Sequence, residues 1–466
     1  PNRAGILTPA SGNDADEKLF YPASYPEVLS LAATNINDQR WSGSSYGYSI
    51  DISAPGSEIY LLNQNNSYSY GNGTSYAAPI VGAIAGLVKS NRPHLNAEQI
   101  KQQILNTTYF LDTIPQNVIF ANKLGSGRVD GYAALTDTLI SGIALSDVEI
   151  IGNTMAGDTV YLTGIFTNHL QSALVNIEIE SLHANATPLT SSINAGILNT
   201  DNTYVLGENE IPIYLSEEMQ YDQSVTIKFT INDGARTYDR LHTFMTNPTY
   251  ADLTANNLNA TIPSNGRIGF ANIDPIYGNG IWLDNSKNMV WEAGLLYGNS
   301  STQIMSCFLN ASPFSIAENI SSETDINENL ITHAEMIDTN KNNSMNIYIK
   351  QKVRAVNQPE MDNTLLFEYV LINKSSNTYE DFHAGLFFDW DIDPLRNNHA
   401  YFNDEYQIAI CENVIGNSRL FGIKLLEMPF KHYAFELNEE TDGIDITDGF
   451  TNEERWFALT TEREEA

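Results

Sequence analysis

Asn72-Gly73-Thr74-Ser75-Tyr76-Ala77-Ala78-Pro79 runs directly into Ile80-Val81-Gly82-Ala83-Ile84-Ala85-Gly86-Leu87-Val88. The second part is apolar on nearly every face of a 3.6-residue period, which predicts a buried helix from about Ser75 to Lys89. A serine opening such a helix lies at the positive end of its dipole, and its N–H has no intrahelical acceptor. It is therefore placed both to attack a carbonyl and to help hold the resulting oxyanion. Gly73 permits the close turn in front of it, and the small Ala77 and Ala78 allow tight packing beneath. A lone serine at a helix start is most simply an N-cap, so the meaning of Ser75 rests on the sequence around it.

Working outward, Asn96 with Gln99 three residues on predicts a capped second helix through Ile100, Ile104 and Leu105. Short apolar runs and glycine turns complete an α/β texture over residues 1–140. From 141 to 250 the period falls to two, as in Thr159-Val160-Tyr161-Leu162-Thr163 and Val225-Thr226-Ile227-Lys228-Phe229-Thr230. About seven strands in about a hundred residues predict an immunoglobulin- or fibronectin-like β-sandwich. Residues 251–466 remain strand-rich with more Trp, Phe and Tyr, and predict a larger β-sandwich-like accessory domain. The expected class is thus an α/β domain followed by two all-β sandwich-like domains.

The segments before and after Ser75 give the motif its context. Gly73-Thr74-Ser75-Tyr76-Ala77-Ala78-Pro79 resembles the nucleophile signature of the subtilisin-like serine peptidases. Ile6 to Asp14 resembles the strand and Gly-Asn turn that carries their oxyanion asparagine. Tyr21-Pro22-Ala23-Ser24-Tyr25-Pro26, Trp41-Ser42-Gly43, Ser53-Ala54-Pro55-Gly56 and Gly125-Ser126-Gly127-Arg128-Val129-Asp130 follow in the family's order. The resemblance covers residues 1 to about 136. It implies that Ser75 is the nucleophile, with the Asn13 side-chain amide and the Ser75 N–H as oxyanion donors. It implies that Pro9, Ala10, Ser11 and Gly12 line one wall of the pocket for the residue before the scissile bond. Phe20 aligns with a small residue at the pocket floor, where it would make the pocket shallow. The carbonyls of Ala23, Tyr25 and Val28 occupy positions that bind a cation in similar subtilases.

Departures from the family pattern bear on activity. The family order is Asp, His, Ser, yet none of the 74 residues before Ser75 is histidine, and the eight histidines begin at His94. The chain opens at Pro1-Asn2-Arg3 without Met and meets motif sequence within a dozen residues. It therefore reads as an internal piece whose parent supplies the Asp and His upstream, and its lack of a signal peptide says nothing of the parent. Alone, this piece is expected to be inactive. The expected function is a secreted endopeptidase, extracellular or at the cell surface, acting on proteins or peptides. Its β-domains would stabilise the catalytic domain, bind substrate, or contact the cell surface or matrix. The rival is a pseudopeptidase or adhesin that uses the scaffold only for binding.

Composition narrows the field further. A net charge of -33 excludes a nucleic-acid partner, because phosphates would be repelled. No apolar run approaches the ~20 residues of a membrane span. No cofactor is required for the chemistry, but structural Ca²⁺ is anticipated where carboxylates converge. Asp389-Trp390-Asp391-Ile392-Asp393 places three on one side of a strand, so Asp389, Asp391 and Asp393 are candidate ligands. Cys307 and Cys411 are compatible with one disulfide or with two buried thiols.

Overall fold

A computed structural model describes residues 5–273, 276–283, 288–309, 311–339, 344–392, 398–413, 420–426, 431–435, 444–445 and 450–462. The chain packs as two compact units, Pro1–Asn247 and Pro248–Ala466.

The first unit begins with a small parallel sheet. Strand β1 (Leu31–Thr34) pairs in parallel with β2 (Ile52–Pro55), Leu31 opposite Ile52. The extended residues before them add on at the outer side, with Leu31 N donating to Pro9 O at 3.2 Å and Ser11 N to Leu31 O at 3.1 Å. A parallel sheet needs cover on both faces. Leu31 and Ala33 turn toward one core with Ile52, Ala77, Val81 and Val88, whereas Ala32 turns to the other with Ile50, Leu111 and Leu124. A short hairpin follows, β3 (Ile59–Leu62) with β4 (Tyr68–Gly71), and leads into helix α1 (Thr74–Asn91).

Helix α1 starts where the sequence predicts, but it is not buried all round. Thr74, Ala77, Val81, Ala85 and Val88 form the buried stripe, while Pro79, Ala83 and Leu87 are exposed. Apolar periodicity measures what a helix face would bury well; it does not supply the element that covers it. Helix α2 (Ala97–Leu105) carries the expected capping box, with Gln99 N donating to Asn96 Oδ1 at 2.9 Å and Asn96 N to Gln99 Oε1 at 3.0 Å. Asp130 caps the short α3 (Gly131–Thr136), accepting from Ala133 N at 2.9 Å.

Residues 143–246 form nine strands: β5 (Ile143–Ile151), β6 (Thr159–Asn168), β7 (Ala173–Ser181), β8 (Ala186–Pro188), β9 (Ser192–Leu198), β10 (Thr203–Val205), β11 (Ile211–Leu215), β12 (Gln223–Asn232) and β13 (Thr237–Thr246). One antiparallel sheet runs β10-β6-β11-β8 with β5 beside β6, and a second runs β13-β12-β7-β9. Both contribute to one core, including Phe166, Ile177, Ile213, Ile227 and Phe229.

The composition change near residue 140 is not a break between compact units, because buried polar bonds cross it. Arg240 on β13 donates to Gln102 Oε1 at 2.6 Å, Asn106 Oδ1 at 2.9 Å and Ile143 O at 3.0 Å. Asn106 Nδ2 donates to Ser141 O at 3.1 Å, Ser141 Oγ to Asp233 Oδ2 at 2.7 Å, and Arg236 pairs with Asp137. Burial pushes the Asp51 carboxyl above the ordinary range, while Lys101, the bond from Ser30 N and Arg240 pull it back.

The second unit is built mainly from antiparallel strands. Ser315–Thr324, Leu330–Ile337, Ile347–Ala355 and Leu365–Asn373 form a meander, and Val290–Ser300 pairs with Gln303–Ser306 and His383–Trp390. Its main core gathers Tyr297, Phe308, Phe314, Met336 and Ile349. Cys307 and Cys411 are buried thiols in separate clusters, not joined in a disulfide, and burial pushes Cys411 up to about 12. A terminal helix, α4 (Asn452–Thr460), sits behind a Thr451/Glu454 capping box, and its Arg455 donates to Leu309 O at 2.6 Å.

Replacing Arg240 with Met leaves Gln102 and Asn106 with unmet bonds and Asp51 with one fewer cation nearby. We expect Arg240→Met to destabilise the first unit by about 2–4 kcal/mol, visible as a fall of several degrees in Tm. Thermal melting by circular dichroism checks this, and an unchanged melting curve contradicts the bracing role.

Candidate active site

The start of α1 is fixed by a bond to a segment more than sixty residues away. Asn13 Oδ1 accepts from Thr74 N at 2.9 Å and from Thr74 Oγ1 at 3.1 Å, while Thr74 Oγ1 lies 3.2 Å from Gly12 O. With its carbonyl oxygen held in this way, the Asn13 amide can point only the other way. Neither Asn13 Nδ2 nor the Ser75 N–H has an acceptor among the described residues, so both donors remain available. Gly73, before the helix, has φ 158° and ψ 153°, a region essentially restricted to glycine. Ser75 itself is exposed and its hydroxyl has no partner among the described residues. Pro79 lacks the N–H that would bond Ser75 O in a regular helix.

The expected pocket wall follows the edge of β1. Ser11 and Gly12 are buried, whereas Pro9 and Ala10 are half-buried. Gly12 has φ 114°, and a Cβ there would approach Ser45 Oγ to 3.0 Å and the Phe20 ring to 3.7 Å. Phe20 therefore lies against Gly12 with half its surface exposed, next to the wall that the sequence assigns to the pocket.

No histidine bonds to Ser75 among the described residues. In the first unit His169 lies 3.9 Å from Asp201, His183 Nδ1 accepts from Asn185 N, and His242 is on β13. The start of α1 thus gathers an exposed serine hydroxyl and two unpaired N–H donors, with no histidine bonded to that hydroxyl among the described residues.

Of the suggested cation ligands, the Val28 carbonyl receives the Lys101 ammonium at 3.3 Å, and Tyr25 O accepts from Val28 N at 3.4 Å. A lysine thus supplies positive charge to that turn, with Ala23 buried beside it. Asp389 is buried and faces Glu292 across the strand pair, and Glu292 is bonded to Arg267 at 3.0 Å and to Leu309 N at 3.0 Å. Burial first, then Asp391, then Glu292, push the Asp389 carboxyl up to about 7; burial also raises Asp391. Asp393 lies outside the described residues, and among those described no three ligand-type side chains gather into a metal site.

The Subtilase family profile matches residues 3–133. Those residues are a subtilase-family segment. Over 133 residues the chain is 35% identical to Subtilisin BL of Lederbergia lenta, covering 28% of this chain and 47% of that protein. It is 43% identical over 111 residues to the Thermostable alkaline protease of Halalkalibacterium halodurans, covering 24% and 31%. Against the Cell wall-associated protease of Bacillus subtilis it is 41% identical over 102 residues, covering 22% and 11%. The chain therefore spans less than half the length of each of these relatives. A solved structure of proteases from Pseudoalteromonas arctica superposes with a TM-score of 0.25 at 28% identity, covering 28% of this chain and 42% of the other. Thr74 and Lys101 are site neighbours that the sequence reading did not single out. Thr74 was open to view, as the polar residue between Gly73 and Ser75, whereas the contact of Lys101 with Val28 carries no local signal.

The raised Asp389 carboxyl gives a signed prediction. A carboxyl held at about 7 when folded, against 3.8 as its ordinary value, keeps its proton better in the folded state. Stability is therefore lost as pH rises from the lower value through the higher one. Asp389→Asn is expected to melt several degrees above the unaltered protein at pH above 7, with the gap closing toward pH 4. Melts across that range check it, and a gap that does not change with pH contradicts it.

Proposed function

We propose that this chain is the nucleophile-bearing part of a subtilisin-type serine endopeptidase that cleaves proteins through an acyl-enzyme on Ser75. The observation that carries the reading is the Asn13–Thr74 bond, which leaves the Asn13 amide and the Ser75 N–H unpaired at the start of α1. The remaining triad members, Asp and His, come in this reading from subtilase sequence ahead of residue 1, in the family's chain order.

The histidine takes the Ser75 hydroxyl proton as Oγ attacks the scissile carbonyl carbon. The carbonyl π electrons move onto oxygen, and Asn13 Nδ2 and Ser75 N donate to that oxyanion. Collapse expels the amine, which takes the proton from the imidazolium. Water then repeats the sequence on the acyl ester and releases the acid. The residues beside Gly12, including Phe20, would shape the pocket for the side chain before the cleaved bond, favouring small or polar ones.

Residues 143–246 would then be a β-sandwich fixed to the catalytic domain, and the second unit a β-rich accessory domain. An extracellular or cell-surface location agrees with the acidic composition and with a relative described as cell wall-associated.

In the longer protein that includes the upstream sequence, Ser75→Ala is expected to abolish casein hydrolysis. Asn13→Ala should lower turnover by ~10²–10³ with KM nearly unchanged, a magnitude measured for such a donor in subtilisin itself. The 466-residue chain alone should leave casein intact, for want of a base. Hydrolysis that survives Ser75→Ala, or an Asn13→Ala loss confined to KM, contradicts the assignment.

A further inference from the structure

The resemblance to subtilases implies a metal cation on the carbonyls of Ala23, Tyr25 and Val28, and the groups around that turn do not fit one. The Val28 oxygen already accepts from the Lys101 ammonium at 3.3 Å. Lys101 comes from the middle of α2, where Ile100, Ile104 and Leu105 pack in one core with Leu29, Leu31 and Ile52. The helix is thus fixed against the sheet, and the lysine is half-buried on its way to the turn. A calcium ion bonds an oxygen at about 2.3–2.6 Å. Sharing Val28 O with the ammonium would therefore hold two positive charges within about 6 Å of each other. Tyr25 O, a second expected ligand, accepts from Val28 N within the turn at 3.4 Å.

The charge around the lysine is also balanced without a metal. Two residues after Val28, Ser30 N donates to Asp51 Oδ2 at 2.7 Å. Burial raises the Asp51 carboxyl, and Lys101 is the strongest influence pulling it back; Arg240 adds to that pull and Glu98 opposes it. Two carboxylates thus stand against two cations, and among these four groups the charges cancel. A metal ion would add one or two positive charges to a neutral set.

We propose that the Lys101 ammonium takes the place of the metal cation at the turn of residues 23–28, so that the first unit carries its own counter-charge there. A tethered ammonium does not have to be bound from solution, so the position is filled at any salt concentration. Its desolvation is offset by the Val28 carbonyl and by Asp51. Removing it leaves Asp51 and Glu98 against Arg240 alone, with the Val28 carbonyl open. A net negative charge beside a free carbonyl is what a hard cation seeks. Lys101→Met therefore creates a cation requirement that the unaltered protein lacks.

Melting the 466-residue protein at pH 8 in choline chloride, NaCl, KCl or CaCl₂ of equal ionic strength tests this, and needs no activity from Ser75. Lys101→Met should melt several degrees below the unaltered protein in choline chloride, and at least one of Na⁺, K⁺ and Ca²⁺ should close that gap. Lys101→Gln, which keeps a long stem and a polar head, should behave in the same way. Lys101→Arg, which keeps the charge, should respond to the metal cations no more than the unaltered protein does. Calorimetric titration with CaCl₂, NaCl and KCl should find the cation that closes the gap bound about tenfold or more tightly by Lys101→Met than by the unaltered protein at this site. A gap that no cation narrows in either neutral variant, equal cation affinity with and without the ammonium, or a response of Lys101→Arg as large as that of Lys101→Met would each overturn the proposal.

Discussion

The geometry around Ser75 turns on one shared acceptor, the Asn13 side-chain oxygen. It receives the Thr74 amide and hydroxyl, and so ties the end of the first extended segment to the first turn of α1. Two consequences come from this bond together. The helix start is held against Gly12, and an amide that would otherwise rotate is left with one free direction. Preorganised donors matter in catalysis because they need not reorganise as charge develops. The glycine-only backbone at Gly73 serves the same geometry, since it lets the chain turn from β4 into the helix directly beneath Asn13.

The rest of the first unit supports that arrangement from behind. Ser11 is held by Leu31 O, Ser30 N bonds Asp51 Oδ2 at 2.7 Å, and Asp51 lies in the field of Lys101 and Arg240. Arg240 belongs to a strand of the following region, so the appended sheets are braced against α2, whose Ile100, Ile104 and Leu105 pack in one core with Leu31 and Ile52 of the small parallel sheet. Burial of these polar groups is costly unless every bond is met. Here Arg240 finds two side chains and two carbonyls, which makes the junction specific as well as tight.

What could be read from sequence was local. The Ser75 motif, the Asn96/Gln99 capping box and the period-two strands are patterns over a few residues, and each matches the structure at its own scale. Contacts between distant residues gave no such signal. Arg240 reaches Gln102 and Asn106 across more than 130 residues, and Lys101 reaches Val28 across 73. The exposure of Pro79, Ala83 and Leu87 was not legible either, because apolarity alone does not reveal which face finds cover. Asp389 could be seen as acidic, but its pairing opposite Glu292 depends on register across nearly a hundred residues. Helix α4 was missed although Thr451-Asn452-Glu453-Glu454 is a capping-box sequence; the strand-rich surroundings hid it.

The central claim is that Thr74 holds Asn13 so that Ser75 can react with an acyl or phosphoryl centre. Reaction of the upstream-extended protein with a fluorophosphonate, mapped by mass spectrometry and followed in time, tests it most directly. The account predicts a single adduct on Ser75, formed roughly 2–10-fold more slowly in Thr74→Val, which loses one of the two bonds to Asn13. An adduct on another residue, or an unchanged rate in Thr74→Val, would contradict it.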